Sequence, residues 1–548
     1  MQTGYTGFVT RSEWWWTILV SLVFLLITFS PFVIIAVANP SNSQFMGVMH
    51  DHNNSAALLA HMQQGIDGRI LTNFLYTSSP TTPTLIHPVY SSLGQLERII
   101  GLPLNILFHI VRIFASLFMY LTIYHLGANI WVKVRTRRIF FTLASIGSGI
   151  GWFLLILVGS NTINSIAIVD ILVPQAFPIY AGAANIHYPI AIACLALLVS
   201  NIVPILRPGE TIVPSAENSG SIVFITSLVL SIIYPDALLP LGIAYTLNVL
   251  INWYNKKEIA IREWQWGLWI LVPALPVITY QFLTYSVNPS FALWLEQRTI
   301  NAPNILLILL GVLVPFVIGI PSLVRAIRRF EADGDRFMLL WLLSILVISQ
   351  LPLPIKHYAL LGILFPVGYF ATRSVEDFWF EYIRRRYRTR IIVIFVPIMV
   401  LSHLLWILAP IVPTLLGWQG FGNVFLEESY GTTLLFIEQE ASAGDVILAS
   451  PEVSLWIPAW TGARVVYGHY AETLNAHERL TEVETWYAES SADATVCTDL
   501  LAQHSVDYVI LGSRERRLGA GTCTENLTAI GSTDAVTVYR VSTDTETP

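Results

Sequence analysis

The run Trp14–Val37, WWWTILVSLVFLLITFSPFVIIAV, carries no ionisable side chain and is long enough, as an α-helix, to cross the roughly 30 Å hydrocarbon layer of a bilayer. It has many counterparts. Hydrophobic residues make up 54% of the 548 positions and charged residues only 12%, too few charges to cover a soluble globule of this size. Apolar runs of similar kind recur at Pro103–Tyr124, Ile139–Gly159, Tyr188–Leu206, Ser221–Tyr234, Ala237–Tyr254, Trp266–Tyr285, Asn304–Val324, Phe337–Leu353, Tyr358–Thr372 and Ile391–Leu416. The predicted fold class is therefore a polytopic α-helical membrane protein with about eleven transmembrane helices.

Basic residues arbitrate the topology. With the N-terminus cytoplasmic, 19 Lys and Arg fall in inner loops, among them Lys133, Arg135, Arg137 and Arg138, and the cluster Arg384–Arg390. Before the tail, the outer side keeps only Arg69, Arg98, Arg112, Arg298 and Lys356. The fifth and sixth runs are short and divided only by Pro235 and Asp236. Merging them would carry 13 of the 19 outside, so the turn at Pro235 is read as real and the tail after Leu416 as extracytoplasmic. Ala36-Val37-Ala38 has the form of a signal-peptide cleavage site, but the run before it is about twice the usual apolar length of such a peptide and reads as a retained span.

Outward from the first span lies Gly47–Gly101, GVMHDHNNSAALLAHMQQGIDGRILTNFLYTSSPTTPTLIHPVYSSLGQLERIIG. It belongs to a long first outer loop, 38–102, and Asp51 sits in it between His50 and His52. A carboxylate held at a membrane surface is a functional candidate. Within the loop Ser55–Gly65 places Leu58, Leu59 and Met62 on one face, the pattern of a short helix lying on the membrane surface. A second outer loop, 160–187, contains Asp170, Pro174, Gln175 and His187.

An outward carboxylate suits a general base that takes the proton of an acceptor hydroxyl. If the donor leaves a phosphate, a fixed cation should meet the departing charge. Lys356, in LPLPIKHYALLG beside His357, is the first choice; Arg298, with Glu296 as a local neutralising partner, is the second, and Arg69 the third. Bland readings stand beside these: Asp51 as a solvated loop acid, Lys356 snorkelling to headgroups. His50 and His52 are candidate ligands for a divalent metal, although two neighbours of one residue rarely converge on one ion.

The tail, 417–548, has ordinary soluble composition and reads as a small α/β domain following a transmembrane domain over 1–416. Asp445–Ala449, Asp507–Leu511 and Ala535–Val541 read as strands, and Thr432–Ala441, Ala476–Ala488 and Asp499–His504 as helices. Cys497 and Cys523 both fall in this oxidising compartment, as a disulfide or as two thiols. Cys194 lies inside a span and reads as a small core residue. No GxxxxGK[ST], GxGxxG after a strand, HExxH or GxSxG occurs, and the basic residues follow topology rather than forming a nucleic-acid groove.

The first loop resembles that of the GT-C glycosyltransferases, membrane enzymes that use polyprenyl-phosphate-linked sugars and include the protein O-mannosyltransferases. The resemblance rests on the early acid Asp51, the helix Ser55–Gly65, the stretch Gly68–Tyr76, Tyr90-Ser91-Ser92-Leu93-Gly94, and His109 with Arg112. It is closer to a bacterial branch with a soluble outer tail, to which IPAWTGARVVYG within Gly444–Gly468 and DYVILGSRERRL at Asp507–Leu518 are similar. Three departures are visible. His52 follows Asp51 where the mannosyltransferases pair two acids, Pro174-Gln175 stands where the branch often has Pro-Glu, and Tyr234-Pro235 replaces a His-Pro turn.

The resemblance implies sugar transfer from a polyprenyl phosphate or diphosphate carrier to a glycan, lipid or protein acceptor on the outer face of the plasma membrane. It makes Asp51 the base or substrate orienter, Asp170 a second acid, and Lys356, His357, Arg298 and Arg69 phosphate or substrate ligands. The alternatives are a transporter or flippase of lipid-linked glycans and a non-catalytic glycan-binding protein. Transporters usually carry ionisable residues at mid-span, and here the acids cluster outside the spans.

Overall fold

The computed structural model describes residues 7–38, 42–158, 168–205, 216–258, 261–297, 303–331, 334–353, 356–416, 424–488 and 494–541. Among these, seven helices are long and apolar enough to cross a membrane: Arg11–Val37 (α1), Leu104–Ile130, Val134–Leu157, Pro235–Lys256, Glu263–Val287, Lys356–Tyr382 and Arg385–Leu415. An eighth is reached if Ile305–Gly311 and Leu313–Arg329, bent by 98° against each other, count as one. The protein is an integral membrane protein, with seven or eight candidate spans among the described residues where the sequence leads one to expect eleven; the apolar runs lie largely, but not wholly, in helix. Three of the helices are shorter than a full crossing in their described apolar part: His187–Val203, Gly220–Ile233 and the 17-residue Gly334–Gln350. The bend falls where Gly311 meets Val169, whose Cβ would lie 2.9 Å from a Cβ placed on the glycine. Only a residue without a side chain allows that approach.

The described chain forms two compact units. The first comprises Met1–Pro31, Ile110–Phe282 and Thr299–Ala409. Its core is aromatic and aliphatic, with Tyr120, Phe141, Phe177, Trp341 and Phe365 almost fully buried. Charged side chains buried inside it find hydrogen-bond partners, as buried polar groups generally do. Glu13 in the first turn of α1 accepts from Arg137 at 2.9 Å and from the Tyr124 hydroxyl at 2.8 Å, and Arg336 donates to Asn248 at 2.8 Å and also to Asn252.

The second unit gathers Phe32–His109, Leu283–Arg298 and Pro410–Pro548. Its sheet has the order β4-β3-β5-β7-β6, with strands β3 (Val446–Leu448), β4 (Arg464–Val465), β5 (Tyr508–Leu511), β6 (Thr528–Ser532) and β7 (Thr537–Arg540). β3 pairs in parallel with β4 and β5, and β7 pairs antiparallel with β5 and β6. The three segments predicted as strands are β3, β5 and β7. β4 and β6, too short or too polar to show an apolar run, complete the sheet. A separate ribbon joins β1 (Ser43–Phe45) to β2 (Phe425–Glu427).

Helix α2 (His52–Ile66) covers the segment predicted as a surface helix, but it lies within the unit. Leu58, Leu59 and Met62 are buried, and so are Ala56, Ala57, Ala60, His61 and Gln64 on its other faces. It packs on one side against α3 (Pro88–Ile100) and on another against Ile457–Thr461. The approach to α3 is unusually close because Gly65 and Gly94 face the partner backbone. A Cβ on Gly94 would stand 1.9 Å from the Met62 carbonyl oxygen, and one on Gly65 2.1 Å from that of Ser91. The Gly94 motif noted in the sequence is thus a helix-packing device.

Candidate functional site

Asp51 ends the loop before α2 with φ 53° and ψ 38°, the left-handed region. Asp is among the few L-residues that enter this region readily, and such a conformation at an acid is a reason to look for function. Its backbone carbonyl still accepts the first helical bond, from Ser55 N at 2.8 Å. The carboxylate Oδ1 accepts from Asn54 Nδ2 at 2.7 Å, and the side chain is half-buried. At a helix N-terminus the negative charge is favoured by the unpaired amides of the first turn. Asp51 is therefore held as a carboxylate on a fixed backbone, with one oxygen anchored.

Its neighbours are less exposed. His50 is buried against Phe32, with ring centroids 6.3 Å apart, and its carbonyl accepts from Ser55 Oγ. Burial holds the His52 imidazole below its ordinary pKa, so that it is neutral at pH 7. Neither histidine belongs to a group of three or more ligating side chains among the described residues. Arg69 lies exposed just beyond α2, its amide bonded to Gln64 O. Arg298 lies outside the described residues. Farther along, the His109 ring bonds the Gly47 carbonyl oxygen at 2.6 Å and fixes the entry to this loop.

The remaining sequence candidates belong to the first unit. Lys356 opens a short 3-10 turn, Lys356–Leu360, and is half-buried; it makes no ion pair with another described residue. The His357 ring lies against Tyr358 at 4.0 Å, tilted by 37°, and the His357 carbonyl accepts from Gln175 Nε2 at 3.4 Å. Tyr358 meets Tyr234 at 6.1 Å, and Tyr234 stacks on His187 at 6.2 Å. The turn thus contacts the Pro174-Gln175 and Tyr234-Pro235 positions, far apart in sequence. Lysine and histidine N–H groups are donors of the kind a phosphate requires.

Asp170 is fully buried in the short helix Val169–Leu172. Its Oδ2 accepts from Gly151 N at 3.0 Å, at the start of the helix Gly151–Val158. Burial raises its pKa to about 6, partly opposed by hydrogen bonds. A Cβ on Gly151 would come within 2.0 Å of Oδ1, so the carboxyl fills the space over that glycine. Arg112 is also buried and donates to the Ala183 carbonyl.

Three side chains that the sequence reading did not single out come together in the second unit. His61 on α2, His87 just before α3, and Glu472 each offer a ligand atom within 4.8 Å of the others. His61 Nε2 lies 3.2 Å from Glu472 Oε1 and His61 Nδ1 2.9 Å from Thr72 Oγ1. No spacing signal could have found them, because His61 and Glu472 are 411 residues apart. Cys497 and Cys523 are joined by a disulfide, with Cα atoms 5.3 Å apart, and Cys194 is a free, buried thiol.

No protein-family model matches the chain. No curated protein matches it either. Solved structures do. The archaeal oligosaccharyltransferase AglB from Archaeoglobus fulgidus, in complex with an inhibitory peptide and a dolichol-phosphate, is similar with a TM-score of 0.55 over 95% of this chain and 73% of that one, at 11% identity. The Archaeoglobus fulgidus oligosaccharyltransferase tethered to an acceptor peptide gives 0.52 over 94% and 72%, at 12% identity. ArnT from Cupriavidus metallidurans bound to undecaprenyl phosphate gives 0.47 over 97% and 98%, at 11% identity. At these identities the likeness is one of fold, shared with the two oligosaccharyltransferase structures.

Proposed function

We propose that the protein is a membrane glycosyltransferase that moves a sugar from a polyprenyl phosphate or diphosphate carrier to a hydroxyl-bearing acceptor on the outer face of the membrane. One observation carries this reading: Asp51, the first acid after the first span, is held in a left-handed backbone with a half-buried, anchored carboxylate at the head of a packed helix, in a chain that shares its fold with an oligosaccharyltransferase. In the proposal Asp51 takes the acceptor proton as general base. Lys356 and His357 are the candidates for the phosphate of the carrier, as donors able to meet charge on a leaving oxygen. Arg298 and Arg69 are further candidates for that anion. The burial of Asp170 and its bond to Gly151 favour a positioning role over direct contact with substrate.

The similar oligosaccharyltransferase structures hold a dolichol-phosphate and peptides. The carrier proposed here is of that chemical class, whereas the acceptor is left as any hydroxyl compound. The test is release of labelled sugar from a polyprenyl-phosphate donor by purified protein reconstituted in vesicles, comparing wild type with Asp51→Asn. Transfer that disappears in the variant supports the assignment. Translocation of the lipid-linked sugar without release would favour the transporter reading instead.

A further inference from the structure

We infer that His61, His87 and Glu472 form a zinc site that fastens α2 to the tail domain. Two imidazoles and one carboxylate are a donor set that zinc takes with three protein ligands and one open position. The distances suit it. Two ligand atoms each about 2.05 Å from zinc at a tetrahedral angle stand about 3.3 Å apart, and His61 Nε2 and Glu472 Oε1 are 3.2 Å apart. The nitrogen of His87 needs only a small ring movement to close the triangle, since all three ligand atoms already lie within 4.8 Å.

The surroundings are those of a built site. His61 is 1% exposed and Glu472 4%, so two of the three ligands are withdrawn from water. A divalent cation between them would meet the carboxylate charge of Glu472 and the lone pair of His61 at once. Thr72 supplies the outer partner of a metal-bound histidine. Its hydroxyl lies 2.9 Å from His61 Nδ1 and can accept that proton, which leaves the Nε2 lone pair directed at the metal. The His87 ring is held on its other faces by His61, Tyr90 and Trp294, with centroids at 5.0, 6.2 and 6.2 Å. The loop that carries Glu472 is clamped as well. In the orientation that satisfies all its partners, the Gln297 amide donates to Thr473 O at 2.8 Å and accepts from Asn475 N at 3.1 Å. His87 is half-buried, and a water would complete the four-coordinate set of a three-ligand zinc site. The site stands independently of the sugar-transfer proposal.

The test uses the full chain in detergent, stripped with chelator, reloaded with zinc alone and washed. Metal analysis should then find one zinc per chain in the wild type and none above background in the double variant His61→Gln, Glu472→Gln. Cobalt(II) in place of zinc should give the intense visible bands of a tetrahedral site in the wild type. His87→Gln, at the half-buried corner and least able to disturb folding, should lower zinc affinity at least tenfold while leaving far-ultraviolet dichroism unchanged. Equal zinc content in wild type and double variant, or a wild type that retains no zinc after washing, would overturn the assignment.

Discussion

Substitutions at Asp51 can separate backbone strain from chemistry. At φ 53° and ψ 38° a β-branched residue sets its Cβ against the following carbonyl oxygen, a strain of about 1–2 kcal/mol. Asn enters this region almost as readily as Asp. It also keeps an Oδ1 acceptor for Asn54 Nδ2, now 2.7 Å away, whereas Val removes it. Because the pair is half-exposed, that bond is worth about 0.5–1 kcal/mol. Asp51→Asn should therefore leave stability within about 0.5 kcal/mol of wild type, while Asp51→Val should lose about 1.5–3 kcal/mol. Turnover should follow a different order, since both variants lack the base and should lose about 10²–10⁴-fold. Thermal unfolding followed by tryptophan fluorescence, beside sugar release from a polyprenyl-phosphate donor, measures the two effects on one preparation. An Asp51→Val protein that melts with the wild type would refute the left-handed backbone, and an Asp51→Asn protein that transfers at the wild-type rate would refute the base.

Lys356→Met keeps the apolar stem and removes the charge. It should weaken donor binding by about 1.5–3 kcal/mol with little change in melting, and unchanged affinity would leave Lys356 to the lipid headgroups. The Cys497–Cys523 bond closes a loop of 26 residues, worth about 3.5 kcal/mol in the chain-entropy description; reductant should lower the thermal midpoint of the wild type and leave that of a Cys497→Ser, Cys523→Ser protein unmoved. Asp170 has a folded pKa of about 6 against an ordinary 3.8. The folded state thus takes up its proton first, and the cost of the buried charge is present above pH 6 and relieved as pH falls toward 4. Relative to Asp170→Asn, the wild type should gain roughly 2.5 kcal/mol between pH 7 and pH 4, and a pH-independent difference would contradict this. A single cysteine at Ser429 should react with an impermeant maleimide in intact cells and one at Thr389 should not; the reverse pattern would invert the proposed orientation.

The membrane helices were legible because lipid leaves the backbone no other partner, so each span must announce itself as a long apolar run. What the runs could not show was shape. Asn304–Val324 reads as one span, and its bend arises where Gly311 meets Val169, a contact between segments well separated in sequence. Asp51 was legible by position after the first span, but its left-handed conformation was not, since any loop acid has the same local pattern. Helix α2 was found by its Leu58, Leu59 and Met62 face and misjudged as a surface element. Its other face is rich in alanine and small polar residues, which read as exposed until α3 and Ile457–Thr461 cover them. The His61, His87 and Glu472 group was invisible for the same reason: it exists only after the 469–475 loop is in place.

The ribbon of β1 and β2 sets a timetable for biogenesis. Phe45 pairs with Phe425, so at 5–20 residues per second the first strand waits roughly 20–75 s for a partner translated roughly 380 residues later. Through that interval the backbone edge of β1 and the side of α2 that Ile457–Thr461 later covers are without those partners, a window in which a holdase or an early-engaging accessory protein would matter most. A chain cut short before Phe425 cannot close the ribbon at all. Reporter fusions to chains truncated before Phe425 will thus read β1 in an unpaired state that the finished protein does not have, and protease sites beside it should be lost once Phe425–Glu427 has left the ribosome.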